Sequence, residues 1–127
     1  MQILRCLSMG VAFGCLPLTI LGQRQLVLVT LPSQQPMVRE LIAPPRDFVE
    51  LCAAVAMGRT VMWQFEADAP LAFNTHFHVD GDVRAPETMS AVSAAQGRLK
   101  PKGDNDYCWL WSNRTTLPVS VRMRFGP

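Results

Sequence analysis

Two histidines stand one residue apart in Asn74-Thr75-His76-Phe77-His78-Val79-Asp80, and the chain has no others. On an extended strand alternate side chains share a face about 6.5–7 Å apart, so nitrogens of His76 and His78 can reach one metal ion. Asp80 adds an oxygen ligand on that face, and Glu66 and Gln64 in the preceding segment have the same parity. Imidazole with carboxylate suits copper(II), nickel(II) or zinc. The plainer reading of the same residues is a pair of titrating histidines on a solvated sheet face beside carboxylates. Metal sites built on three or more histidines are excluded by count. A blue-copper site is excluded because no histidine follows Cys108.

Other reactive side chains lack the surroundings that catalysis needs. No nucleophile elbow, Gly-rich phosphate loop, CxxC pair or framed pair of carboxylates occurs, so neither acyl nor phosphoryl transfer has its parts. Cys108 lies among aromatic residues in DYCWLWSN, a setting in which a thiol is inert. The chain therefore reads as a non-enzyme. Of its four cysteines, Cys6 and Cys15 fall in an apolar N-terminal run. Cys52 and Cys108 read first as two buried thiols, with one disulfide, worth about 2–4 kcal/mol, as the alternative.

The elements that must position the histidines are strands. In Thr60–Ala67, Val61, Trp63 and Phe65 alternate with Met62, Gln64 and Glu66. In Leu71–Asp80, Leu71, Phe73, Thr75, Phe77 and Val79 alternate with Ala72, Asn74, His76, His78 and Asp80. Period two with one apolar row predicts half-buried strands of an antiparallel sheet. Asp68-Ala69-Pro70 predicts a turn between them, pairing Phe65 with Phe73 and Met62 with His76. Gln25–Leu31, Phe48–Val55, Asp106–Asn113 and Pro118–Phe125 predict further strands, with a short one at Arg98–Pro101. Asn113 to Thr116 is read as the turn of a second hairpin. Trp63, Trp109 and Trp111 are assigned to the core by parity, and Arg122 and Arg124 are placed to pair with carboxylates of a neighbouring strand. Ala85–Gln96 is read as a loop or a single helical turn.

Composition limits the partners. In 127 residues, 49% hydrophobic and 17% charged, 12 Lys and Arg nearly cancel 10 Asp and Glu. No broad basic surface for nucleic acid exists, and a disordered chain is excluded. Ten prolines and eight glycines cut the chain into short segments. One all-β domain of seven or eight short strands, an antiparallel β-sandwich, is the expected architecture. Residues 1–22 have the layout of a secretory signal peptide, with an uncleaved anchor as the alternative and the only route to a membrane. Residues 23–47 are read as a strand and a Pro-rich linker, and 48–127 as the core of the domain.

From about Phe48 to Phe125 the order of features resembles a Golgi-dynamics type β-sandwich of small exported bacterial proteins. The resemblance rests on a strand ending at Gly58, WQFEADAPLAFNTHFH, and DYCWLWSNRTTLPVSVRMRF. It implies a non-enzymatic interaction module and brings no catalytic residues. The expectation is thus an exported, periplasmic or secreted module that binds an envelope protein or a small ligand. The second reading is a periplasmic binder of copper or zinc through His76, His78 and Asp80, with Glu66 a further ligand.

Overall fold

The computed structural model describes residues 25–126, so the segment read as a signal lies outside the described residues. Among these there is no helix. The seven strands are β1 (Gln25–Val29), β2 (Met37–Ala43), β3 (Phe48–Val55), β4 (Val61–Val79), β5 (Asp82–Leu99), β6 (Asn105–Ser112) and β7 (Val119–Phe125). They form one mixed sheet in the order β1-β3-β6-β4-β7-β2, with β5 added along β4. β1 and β3 run parallel and every other pair is antiparallel.

The all-β class is as expected, but the arrangement is one curled sheet. β4 makes the curl. Its first half pairs with β7 from Trp63 to Ala67, and its second half pairs with β6 from Ala72 to Phe77. One strand therefore belongs to two wings, β2-β7 and β1-β3-β6, which face each other across the core. Phe65 meets Trp111 edge-on at 5.5 Å, and Trp109 meets Phe125 at 4.8 Å, both contacts running from wing to wing.

Three of the expected connections need correction, and Ala85–Gln96 lies within strand β5 where a loop or helical turn was expected. First, Pro70 is not in a turn: β4 passes straight through it, and the Phe65–Phe73 pairing does not form as a ladder pair. Pro70 is tolerated because it falls between the last residue paired with β7 and the first paired with β6. On its other edge the register with β5 shifts between Glu66 and Leu71. A residue without an amide hydrogen loses nothing where the ladder is already interrupted. The hairpin turn is instead Asp80-Gly81, with φ of 50° and 82°, the left-handed pair a two-residue turn requires. Second, β6 and β7 are not a hairpin. They lie in different wings, and Asn113 secures the crossing. Its buried amide nitrogen donates to the carbonyls of Ala43 (3.0 Å) and Leu117 (2.7 Å), while its oxygen accepts from Thr115. Third, the supposed linker contains β2, whose Met37, Leu41 and Ala43 are buried.

The side-chain parity survives these corrections. All of Val61, Trp63, Phe65, Leu71, Phe73 and Thr75 are buried, on one continuous inner row. Trp109, Trp111 and Met123 are fully enclosed. Trp63 lies flat over Gly97, where a β-carbon would stand 2.5 Å from the indole. Arg122 pairs with Glu40 at 2.9 Å on the exposed side of β7 and β2.

Candidate binding sites on two faces of the sheet

The outer face of the β1-β3-β6 wing carries the histidines. His76, of even parity, points away from the aromatic row, yet it is buried because neighbours from two strands close over it. Nδ1 lies 2.8 Å from Asn74 Oδ1, and Nε2 lies 2.9 Å from Glu50 Oε1 on β3. A ring carrying both protons donates to both oxygens. His78 is exposed, its ring edge-on to His76 at 5.5 Å between centroids. Asp80 sits in the hairpin turn, and Glu66 lies on the first half of β4 in the other wing, opposite Arg122. The fold thus brings His76 and His78 together, leaves Glu66 out of their reach, and supplies Glu50 in its place. Nothing in the sequence pattern linked Glu50 to His76, because β3 and β4 meet only through β6.

Beside this pair, Cys52 and Cys108 are joined by a disulfide, so the reading of two free thiols is corrected. The two residues are direct partners in the β3–β6 register, with Cα atoms 4.1 Å apart. Directly opposed positions on adjacent strands put both side chains on the same face within bonding reach.

The inner face opens at the β5 edge. Between the two arms of the bent β4–β5 hairpin lies a cleft of about 850 Å³. Buried Trp63, Leu99 and Tyr107, with half-buried Phe77, form its apolar floor. Exposed Arg84, Lys100 and Lys102 stand on its rim, while Arg98, the register partner of Met62, turns its Nε to the Met62 sulfur on the outer face. The Tyr107 ring packs tilted against Phe77 at 5.0 Å, while its hydroxyl accepts from the Lys102 amide and donates to the Gly103 carbonyl, each at 3.2 Å. That one residue fixes the β5–β6 turn, and with it the backbone of Lys102, against the floor. Sequence reading missed the cleft because its far wall is β5, which was taken for a loop.

Glu87 is the acid of the cleft, opposite Thr75 in the register. Its Oε2 is buried and meets no hydrogen-bond partner among the described residues. Burial penalises the carboxylate and raises the pKa above the ordinary carboxyl value. A folded-state pKa above the unfolded one means that the folded protein holds more protons between the two values, so stability falls as pH rises through that window. Glu87→Gln is therefore expected to raise the melting temperature slightly at pH 8 and to leave it unchanged at pH 4. Equal shifts at both pH values would show that the carboxyl is not desolvated.

No family model and no curated protein matches this chain. Solved structures do. The pre-peptidase C-terminal domain of collagenase from Bacillus anthracis superposes with a TM-score of 0.58 at 8% identity, covering 83% of this chain and 98% of that one. PliG from Aeromonas hydrophila, a periplasmic lysozyme inhibitor of g-type lysozyme, superposes with a TM-score of 0.52 at 11% identity, covering 82% of this chain and all of that one. Neither is a Golgi-dynamics domain. At such identities the likeness is one of fold.

Proposed function

We propose that this chain is an exported, non-enzymatic binding module whose site is the cleft between the arms of the β4–β5 hairpin. The occupant is a small ligand, or a projecting segment of an envelope protein, that presents an apolar body next to negative charge. One observation carries the reading: an apolar floor of Trp63, Phe77, Leu99 and Tyr107 beneath the exposed cations Arg84, Lys100 and Lys102, with Glu87 as the single acid among the described lining residues. Apolar contact supplies affinity in such sites and a few charged groups fix orientation. PliG, of similar fold, is a periplasmic inhibitor of a protein target, and the Golgi-dynamics resemblance implies the same interaction class.

The test compares decanoate with decyltrimethylammonium, which share an apolar chain and differ in the sign of the head. Tryptophan fluorescence of Trp63 follows the titration. Decanoate is expected to bind about tenfold tighter, a difference of about 1.4 kcal/mol, and to lose that advantage as salt is added. Phe77→Asp is expected to abolish binding of both. Equal affinities for the two heads, no binding by either, or binding indifferent to Phe77→Asp would overturn the proposal.

A further inference from the structure

The outer face holds a second set of groups that the cleft does not use. Three adjacent strands present it: Glu50 and Cys52 on β3, Cys108 on β6, and His76 on β4. Cys52 and His76 flank Cys108 as its direct register partners on either side. Ligand atoms of Glu50, His76 and Cys108 all lie within 4.8 Å of one another, and Cys52 Sγ is bonded to Cys108 Sγ. Four donors, two sulfur, one nitrogen and one oxygen, therefore lie in one cluster. In a tetrahedral zinc site with bonds of about 2.0–2.3 Å the donors stand about 3.3–3.8 Å apart, so once the S–S bond is broken the sulfurs separate from 2.07 Å while the wider of the other donor pairs, all within 4.8 Å, close in.

We propose that reduction of the Cys52–Cys108 disulfide opens a metal site in which both thiolates, His76 Nε2 and a Glu50 carboxylate oxygen hold one zinc(II) ion. In the oxidised chain neither sulfur is a thiolate, and only the thiolate ligates. A dithiol reductant converts the disulfide to two protein thiols and is itself oxidised to its cyclic disulfide, two electrons and two protons passing to the protein. Zinc then displaces both thiol protons to solvent, together with the Nε2 proton where the ring carries it. Two soft sulfurs with imidazole and carboxylate are a donor set zinc accepts. The surroundings are already arranged: Asn74 Oδ1, 2.8 Å from Nδ1, orients the ring from behind and leaves Nε2 to face the other ligands. All four groups are buried or nearly so, with the His76 and Glu50 side chains 9% and 18% exposed. His78 stays outside the set.

Cobalt(II) titration of the whole chain, oxidised and dithiol-reduced, tests this. The reduced chain is expected to bind one equivalent with thiolate-to-metal charge-transfer absorption, and the oxidised chain none. His76→Ala weakens binding roughly tenfold or more, as does the shape-preserving Glu50→Gln, while His78→Ala leaves it unchanged. Zinc raises the melting temperature of the reduced chain and not of the oxidised one, and the strand circular-dichroism signal survives reduction. The proposal is overturned if both redox forms bind alike, if neither His76→Ala nor Glu50→Gln weakens binding, or if reduction abolishes the strand signal.

Discussion

Trp111→Ala is expected to remove about 3–5 kcal/mol of stability, read as a lower urea midpoint at unchanged slope. Trp111 is fully enclosed and touches Phe65 at 5.5 Å and Phe73 at 5.6 Å, so the hole left by its ring is lined by both halves of β4. Neither half can move in to fill it without dragging the other. The indole nitrogen, however, is buried with no acceptor among the described residues. A donor left in that state costs about 1–3 kcal/mol. Trp111→Phe keeps most of the packing and deletes the donor, so it is expected to cost far less than alanine. A phenylalanine variant as unstable as the alanine one would mean that the indole nitrogen has a partner, such as an ordered water.

The second large effect is the disulfide. Cys52→Ala/Cys108→Ala is expected to cost about 2–4 kcal/mol, because the bridge closes a loop between residues separated by 56 positions and so restricts the unfolded chain. For a domain of this size that corresponds to a fall in melting temperature of roughly 10–30 °C. β3 and β6 still pair along their whole length without the bond, and typical domains have about 5–15 kcal/mol to lose. The variant should accordingly remain folded at 25 °C. Identical melting of the variant and the oxidised wild type would show that the two sulfurs are not joined in solution.

Much of this core was readable from alternation alone. The odd-numbered row from Val61 to Thr75 and the core placement of Trp109 and Trp111 came through intact, since burial on a sheet depends on parity and not on where the chain turns. The connections were less readable. Pro70 carried a turn signal whose effect is cancelled by an interruption of the ladder, which only the three-dimensional pairing reveals. The Asp80-Gly81 pair was the available signal for the true turn. β5 was hidden for a different reason. Its inward positions pass from Met89 to Val92 to Ala95, in register with Phe73, Leu71 and Phe65, so bulges replace steps of two by steps of three. Its small side chains, Gly97 above all, exist to admit Trp63 and carry no hydrophobic signal of their own. The site suffered in proportion: His76 was found from spacing, while Glu50 and the wall of the cleft depended on strands that sequence neighbours do not specify.

A strand that serves two wings also decides how the molecule yields. Neither wing owns its backbone: melting one strips hydrogen-bond partners from a strand the other needs, which makes the domain a single cooperative unit without an independently unfolding half. The arms around the cleft likewise have no linker on which to swing. They spread only by flexing β4 and β5 near Ala67–Leu71, and that movement is transmitted straight to the aromatic cluster of Phe65, Phe73 and Trp111.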